Sequence, residues 1–465
     1  MLGTGKSTGK HDISHMTKDA ETDHLADVAA YVLEQAKKHG ADAADAIIVE
    51  GWSINAGCRM GKWEDIERSE ARDMGLRVFI GHSQANVSTT DFGRDHLDEM
   101  AARAVAMAKV TPEDPYCGLA DPARLATEWP DLDVFDATEP STEELRELAK
   151  AAEEAAWAVD GITNSLGSEA NAGAGGMVLV TSDGFQGTYR NSSFTLSCAV
   201  VAGEGTAMER DYDYTSMRHF ADLEAAGEIG RKAAERTIAR LNPQKVSSQA
   251  VPVVFDPRVS GSLVSHLSSA ISGAAIARGT SFLKDRMGEK ILADGITIID
   301  DPHRPRGRRS KPFDAEGVVN GEAVMVDNGV LQSWLLDSRS ARQLGLETTG
   351  HAGRGTSSPP SPSITNFYMK AGTISRDDLI GGIAEGFYVT DLIGRGGDVV
   401  TGDYSRGAAG FWIENGEITH AVSEVTIAGN LKDMYLNLTP ADDLEFRYGT
   451  DAPTVLVEGM TLAGT

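Results

Sequence analysis

The sequence has only three cysteines in 465 residues, Cys58, Cys117 and Cys198, and they lie far apart. This spacing provides neither a disulfide framework nor the paired cysteines of a zinc knuckle. No apolar run approaches the roughly 20 residues that a membrane-spanning helix needs, and no secretory apolar region is recognisable near the start. We therefore expect a protein of the reducing cytoplasm that has no membrane partner.

Positive charge is also scarce, since 43 Lys and Arg residues face 69 Asp and Glu residues, giving a formal net charge of −26. Binding to nucleic acid needs a clustered positive surface that neutralises phosphates. The charge balance therefore argues against a nucleic-acid partner. The sequence also lacks the HExxH, GxSxG and complete Walker motifs that mark common hydrolase and nucleotide sites.

Residues 1–15 are polar and glycine-rich, and His15-Met16 is the pair that an NdeI cloning site would encode. We interpret them as a leader or cloning-derived extension and expect the native chain to start at Met16. The run GTGKS within this segment resembles the end of a P-loop. The earlier glycine and the preceding strand of that motif are absent, so nucleotide binding is not predicted.

Two differently patterned halves follow, separated by the polar, proline-containing segment 242–249. Residues 16–243 repeat the order helix, strands, helix, and consecutive short strands without intervening helices indicate antiparallel sheets. Residues 250–465 are dominated by strand patterns around one apolar helix. The sequence therefore predicts an α+β fold with two domains: an N-terminal α/β domain with antiparallel sheets and helices, and a C-terminal sheet-rich domain around a buried helix.

Short local signals place several of these elements. The Asp183-Gly184 pair predicts a hairpin turn, and so do the two Asn-Gly pairs at 328–329 and 415–416. The sequence STEE at 141–144 is a capping box and predicts the start of a helix. A further helix is expected near 375–386.

The C-terminal half is organised around a helix rich in small residues. A Val-rich strand at 251–255 leads into Asp256-Pro257, where a proline in the first helical turn costs no hydrogen bond. Apolar residues then recur every four positions and predict a stripe that faces a core: Val259, Leu263, Leu267 and Ile271. From there to Arg278 the only ionisable side chain is His266, and a lone helical histidine is more often structural than a ligand.

Two loops carry further candidate contacts. His303–Lys311 contains five Lys and Arg residues among nine. Such a loop can hold a carboxylate or an acidic partner surface, or it can be a solvated loop that offsets nearby acidic residues. Segment 350–363 is rich in Gly, Pro and Ser and predicts either a flap over a cleft or a plain surface loop.

A series of short matches carries a family resemblance. The order FDP, RGTSFL, FDAEG, VDNGVL, LLDSRSAR, GDYSRGA, GFWIENGEIT and IAGNL is similar to the C-terminal half of the TldD/PmbA family, and most closely to its PmbA (TldE) branch, once described as modulators of DNA gyrase. The match extends over about residues 20–465 and is most specific at 250–432. It implies a cytoplasmic, dimeric, two-domain α+β protein in a system that proteolyses unfolded polypeptides and peptide-antibiotic leaders.

The catalytic TldD branch carries HExxxHxxE on the helix that precedes RGTS, where the histidines bind zinc and the glutamate acts as general base. Counting back from RGTS, these four positions fall on Val264, Ser265, Ser269 and Ser272. Valine has no donor atom, and serine is a poor zinc ligand beside imidazole or thiolate. His266 is two residues out of register, about 200° around the helix. The TldD metal-site cysteine near the C-terminus also has no counterpart, because no cysteine follows Cys198.

The resemblance therefore favours a chain without catalytic or metal-binding residues of its own, and with no cofactor in this chain. Zinc is expected in a TldD-like paralogue that forms a heterodimer with it, although a homodimer remains an alternative. The substrate would be an unfolded polypeptide. The candidate contacts with substrate or partner are four side chains: His266, Arg306, Arg308 and Arg309.

Two alternative functions stay open at this point. The chain can be a metallopeptidase in its own right if the fold brings together histidines that are distant in sequence, namely His266, His303, His351 and His420. No pair of them has zinc-ligand spacing. The older gyrase description suggests a third class, a gyrase-associated binding protein, in which an acidic surface would imitate DNA.

Overall fold

A computed structural model describes residues 18–64 and 66–464, with side chains from His24 onward; the predicted leader at 1–15 lies outside the described residues. The helices are α1 Lys18–His39, α2 Arg94–Ala108, α3 Thr142–Trp157, α4 Ala226–Ala239, α5 Pro257–Ala270, α6 Gly273–Ala277, α7 Ser338–Leu344, α8 Arg376–Gly381 and α9 Leu431–Leu436. Short 3₁₀ turns lie at Pro122–Arg124, Gly205–Ala207 and Phe220–Asp222.

The first strands form the N-terminal sheet: β1 Ala43–Arg59, β2 Lys62–Trp63, β3 Glu67–Ile80, β4 Ser83–Thr89, β5 Ile162–Thr181, β6 Gln186–Ala202 and β7 Glu209–Met217. The remaining strands are β8 Gln249–Phe255, β9 Ile298–Asp301, β10 Ala323–Asp327, β11 Val330–Leu331, β12 Ala352–Gly353, β13 Ser361–Pro362, β14 Asn366–Met369, β15 Glu385–Ile393, β16 Asp403–Glu414, β17 Glu417–Asn430, β18 Leu438–Pro440, β19 Thr450–Asp451 and β20 Val455–Ala463.

The N-terminal sheet is antiparallel, in the order β4-β3-β1-β5-β6-β7, with β2 paired to β1. Both helix pairs of this half pack on one face of the sheet. Ala46 and Ile48 of β1 pack with α1 and α2, whereas Ile54 and Ala56 pack with α3 and α4. All four have even numbers on one uninterrupted strand, so their side chains share a face. The opposite face is left for the C-terminal half.

The C-terminal half contains a closed barrel and a second sheet. The barrel strands run β17-β16-β15-β8-β20, and a β17–β20 pairing closes the ring, with β18 attached to β20. The second sheet runs β11-β10-β9-β14-β19. Side chains of α5 contribute to a core shared by both, including Leu263 and Leu267, each 1% exposed. The predicted α+β class, with antiparallel sheets and a sheet-rich half around a buried helix, is confirmed.

The structure confirms the three predicted hairpin turns and the predicted helix start at Ser141. The Asp183-Gly184 turn joins β5 to β6, and the two Asn-Gly turns join β10 to β11 and β16 to β17. Asn328 and Asn415 both have positive φ, of 45° and 51°, which asparagine tolerates better than most residues. The capping box at Ser141 is complete. The helix expected near 375–386 is shorter and ends at Gly381.

A buried charge cluster joins the two halves across the free face of the N-terminal sheet. Asp45 on β1 accepts from Arg77 Nε on β3 at 2.9 Å and from Arg354 Nη1 at 2.5 Å. Burial opposes ionisation of Asp45, but the charges of Arg354 and Arg77 outweigh it and lower its pKa. The Arg354 side chain is only 1% exposed. Arg354 therefore anchors segment 350–363 between the halves, which its composition did not predict. Residues 357–359 of the segment are exposed, as expected for a surface loop, and Pro362 and Ser363 line a cavity.

Backbone contact tightens the same junction. A Cβ added to Gly75 on β3 would lie 2.1 Å from the carbonyl oxygen of Thr356, so only glycine permits this approach. Phe313 packs edge-on against Phe185 and Trp129, with ring centroids 5.2 and 4.9 Å apart. Within the described residues, no helix combines the length and the apolar character needed to cross a membrane.

Candidate functional site

Helix α5 begins where the sequence predicts. The Asp256 side chain accepts a hydrogen bond from the Arg258 amide at 2.9 Å, and Pro257 occupies the first helical position. This arrangement satisfies an amide that would otherwise lack a partner and places proline where no amide is needed. The first turn of α5 is therefore fixed at the edge of the barrel, directly after β8.

The helix does not continue to Arg278 as a single element. It ends at Ala270, and a separate turn of helix, α6, follows after Ser272. The Gly273 amide donates to the Leu335 carbonyl at 2.8 Å, and a Cβ at Gly273 would lie 2.5 Å from Leu336 Cδ2. The close approach of the 335–336 backbone therefore interrupts the helix.

The four positions that match the zinc-binding motif have different surroundings. Val264 is 1% exposed and belongs to the main core. Ser265 lines a cavity beside the N-terminal part of α5, while Ser269 and Ser272, further along the same face, line a cleft beside its C-terminal end. The Ser269 hydroxyl donates back to the Ser265 carbonyl at 3.1 Å. These side chains do not fit a zinc ion, because the buried position has no donor atom and serine hydroxyls are poor zinc ligands beside imidazole or thiolate.

His266 packs against the ring of Tyr404. Its imidazole meets Tyr404 edge-on at 5.8 Å between ring centroids, and a Cβ at Gly397 would lie 2.7 Å from Nδ1. Burial lowers the pKa of His266, and the nearby charge of Arg406 lowers it further. The Nε2 atom is buried and has no hydrogen-bond partner among the described residues.

The other candidate histidines each have a different neighbour. His303 Nε2 lies 2.8 Å from Asn320 Oδ1, and His351 Nε2 lies 2.9 Å from Asp300 Oδ2. His420 contacts the hydroxyl of the preceding threonine at 3.2 Å. In the part of the chain that the structure describes, no group of three His, Cys, Asp or Glu side chains is arranged to hold a metal ion.

An unusually basic cavity of about 460 Å³ lies where α5, β7, β16 and the end of α4 meet. We call it the arginine cavity after five of the side chains that line it: Arg210, Arg240, Arg258, Arg309 and Arg406. Ser262 and Ser265 of α5 form one wall. The cavity lies between the two halves of the chain, a common location for ligand sites.

Two of the five arginines are neutralised inside the protein. Arg258 Nη2 donates to Asp211 Oδ1 at 2.7 Å, and Arg240 Nη1 lies 3.3 Å from the other oxygen of that carboxylate. Burial raises the pKa of Asp211, but the hydrogen bond and charge of Arg258 outweigh it and lower the pKa overall. Asp211 therefore remains ionised and fixes both guanidinium groups.

Beside the C-terminal end of α5 lies a cleft of about 510 Å³ with a different character. We call it the serine cleft, after Ser268, Ser269 and Ser272. Its other walls are mostly apolar, from residues such as Leu335 and Ile364. Arg278 is the single charged side chain among the described residues that line it.

The structure separates the three candidate arginines of the basic loop. Arg306 bridges two carboxylates, at 2.6 Å to Asp133 and 2.7 Å to Asp222. Arg308 donates to the Arg447 carbonyl at 3.0 Å. Of the three, only Arg309 lines a cavity. Arg306 and Arg308 thus serve contacts between distant parts of the chain.

Reasoning from the sequence missed most of the arginine cavity. Arg210, Arg240, Arg258 and Arg406 come from four separate segments, and only the fold brings them together. The sequence signals for these arginines are weak. Arg258 follows the predicted start of α5, and Arg406 lies within the GDYSRGA match. Buried carboxylates were missed as well. Burial and the neighbouring Asp314 raise the pKa of Glu316 to about 7.

Comparisons with known proteins agree with this architecture. Family models match three stretches: PmbA/TldA metallopeptidase domain 1 at residues 44–108, the central domain at 135–241 and the C-terminal domain at 248–464. The chain is 38% identical, over 449 residues, to the metalloprotease PmbA homolog of Haemophilus influenzae, covering 96% of this chain and 97% of that protein.

Solved structures are similar over nearly the whole chain. A putative modulator of DNA gyrase from Bacteroides thetaiotaomicron matches with a TM-score of 0.88 at 28% identity. The match covers 97% of this chain and 100% of that one. TldE from Thermococcus kodakarensis shares the fold, with a TM-score of 0.85 at 21% identity, covering 94% of this chain and 100% of that one.

The fold and the α5 helix define a protein with a peptidase architecture whose ligand positions do not fit zinc. This chain belongs to the PmbA/TldD metallopeptidase family, which confirms the resemblance recognised in its motifs.

Proposed function

We propose that this chain is the non-catalytic subunit of a two-protein zinc peptidase, paired with a TldD-like paralogue that supplies the metal. The complex would degrade unfolded polypeptides and mature peptide leaders in the cytoplasm. The observation that supports the proposal is that α5 carries the first three positions of the zinc-binding motif, yet the first of them, Val264, is a core residue that is 1% exposed. A side chain without donor atoms inside a packed core cannot contribute to a metal site.

Retention of α5 has a structural explanation that does not require catalysis. Val264, Leu263 and Leu267 all belong to the large core between barrel and second sheet. Ser260 is completely buried, and its hydroxyl donates to the Ala452 carbonyl at 3.1 Å. The helix therefore organises the fold, and its less buried face borders a cavity near each end. Such cavities suit a subunit that shapes a shared substrate chamber.

Exposed apolar side chains support a partner surface beside the serine cleft. Val400 lines that cleft and is 58% exposed, and Ile393, at the end of β15, is 69% exposed. Ile393 precedes the glycine-rich loop between β15 and β16, and Val400 lies within that loop. Exposed apolar side chains next to a cleft are typical of surfaces that a partner covers. We propose that a TldD-like chain covers this one, with a homodimer as the form adopted in its absence.

The proposal is tested by casein hydrolysis with this chain alone, a TldD-type partner alone, and the mixture. We expect no hydrolysis by this chain alone and chelator-sensitive hydrolysis by the mixture. Light scattering on the same samples should show exchange from a homodimer to a heterodimer. Chelator-sensitive cleavage by this chain alone, in preparations free of host peptidases, would instead identify a metallopeptidase in its own right.

A further inference from the structure

The arginine cavity holds more positive charge than the protein neutralises. Arg240 and Arg258 are paired with Asp211, but Arg210, Arg309 and Arg406 form no ion pair with any described carboxylate. In a chain with a net charge of −26, three unpaired guanidinium groups around one cavity are unexpected. Guanidinium groups in such a place attract an oxyanion, which they can hold with paired hydrogen bonds.

Unsatisfied polar atoms occur in the same cavity. Ser262 Oγ, Thr390 Oγ1 and Arg406 Nε are buried and have no hydrogen-bond partner among the described residues, and all three side chains line the arginine cavity. A buried polar atom without a partner is destabilising. Their concentration here indicates that a ligand completes their hydrogen bonds.

The remaining walls restrict the class of this ligand. Leu166, Val259 and Leu392 add apolar surface. Asp391 is 47% exposed and uses Oδ2 to contact Arg240, so it still offers an acceptor. A ligand that fits all of these groups has a carboxylate, an amide donor and an apolar side chain. Inorganic phosphate fits less well, because Asp391 and Asp211 would repel its second negative charge.

The position of α5 adds to the attraction for a carboxylate. Pro257, Arg258 and Val259 form its first turn and line the cavity. The N-terminal end of a 14-residue helix carries partial positive charge, which favours anions within about the first turn. Helix and arginines thus act in the same direction.

We propose that the arginine cavity binds the C-terminal residue of a peptide, with its free carboxylate held by Arg309 and Arg406. Thr390 and Asp391 accept from the amide of that residue, and its side chain contacts Leu166 and Leu392. This inference rests on the proposed function, since it assumes that the chain presents polypeptide to a partner. It adds a preference for free chain ends, including the new C-termini that cleavage produces.

The test is fluorescence anisotropy with the full chain and a fluorescein-labelled peptide that ends in leucine, prepared as the free acid and as the C-terminal amide. We expect the free acid to bind at least about tenfold more tightly than the amide. The double variant R309Q/R406Q should abolish this preference. Because Arg309 is exposed, R309Q alone should leave the fold intact and reduce the preference several-fold.

Arg103 on α2 provides the matched control, since it is exposed and lies outside the cavity lining. R103Q should bind both peptides as the unaltered chain does. Equal affinity for acid and amide, or no binding of either, would overturn the inference. Displacement of the peptide by inorganic phosphate at concentrations where acetate has no effect would also overturn it, in favour of a phosphate site. None of these results depends on the partner, so casein hydrolysis by the mixture tests the proposed function separately.

Discussion

The two ends of α5 border cavities that differ in almost every respect except volume. The arginine cavity has five arginines and two aspartates among its lining residues, and the serine cleft has one charged residue, Arg278. One helix borders both, with Ser265 towards the first and Ser269 towards the second. Helix α5 thus has a core face that packs the fold, through residues such as Leu263 and Leu267, and an opposite face whose two ends border cavities of different chemistry.

The arginine cavity beside α5 depends on the ion pairs of Asp211, and removing this carboxylate should have the largest effect on stability. Replacing Asp211 with Asn leaves Arg258 and Arg240 without their shared carboxylate. We expect a loss of about 3–5 kcal/mol in the free energy of unfolding, typical of a broken buried pair. Chemical denaturation measures it, with Asp27→Asn on the exposed surface of α1 as the control. A loss no larger than that of the control would show that the cavity arginines need no neutralisation.

The next largest effect on stability is expected at the core face of α5. Val264→His places a polar, larger side chain in a packed core and should cost about 2–4 kcal/mol. Ser269→His introduces the same ring at the exposed second ligand position and should change stability by under about 0.5 kcal/mol. Urea denaturation of both variants checks the contrast. If the two variants were equally stable, Val264 would be accessible to solvent and could not be a core residue.

Glu316 gives a pH-dependent effect away from α5. Its folded-state pKa of about 7 lies above the ordinary carboxyl value of 4.5, so the folded protein binds an extra proton between these values. Its contribution to stability therefore falls as pH rises through this window. Glu316→Gln removes that loss and should stabilise the protein by up to about 3 kcal/mol above pH 7, with little effect below pH 4.5.

Thermal melts from pH 4.5 to 8.5 check this prediction, with the exposed Glu113→Gln as control. The amide oxygen of Gln can still accept from the Ser338 amide, which bonds Glu316 at 2.8 Å. A Glu316→Gln protein that is less stable than the parent at high pH would contradict the raised pKa.

The smallest effect is expected in the basic loop. Arg306→Ser breaks ion pairs with Asp133 and Asp222, whose side chains are 50% and 39% exposed. Exposed ion pairs contribute little to stability, so we expect only a small loss in the free energy of unfolding, which should shrink with added salt. Arg395→Ser, at an exposed arginine with no ion pair among the described residues, is the control. Chemical denaturation at low and high salt should show a salt-dependent loss for Arg306→Ser and none for Arg395→Ser.

Local chemistry explains which parts of this fold were predictable. The Asn-Gly hairpins, the capping box at Ser141 and the start of α5 at Asp256-Pro257 each depend on residues a few positions apart. The break after Ala270 depends on the Leu335 backbone, and the insertion of Arg354 depends on Asp45, which is distant in sequence. Pattern reasoning over short windows cannot detect such contacts.

The residues of the candidate site also fall into those that the sequence could predict and those that it could not. The replaced ligand positions, from Val264 to Ser272, were identified because they lie in one continuous motif. The arginine cavity was not identified, since its five arginines come from five segments of an acidic chain in which basic residues are scarce. In the basic loop, charge density drew attention to Arg306 and Arg308, whereas geometry leaves Arg309 as the side chain that lines a cavity.

The central claim, that the metal belongs to the partner, is tested most directly by zinc analysis after dialysis of this chain alone and of its complex with a TldD-type chain. We expect stoichiometric zinc in the complex and none in this chain, because Val264 and the serines of α5 offer no ligand set. Tight stoichiometric zinc in this chain alone, lost in His266→Ala, would contradict it.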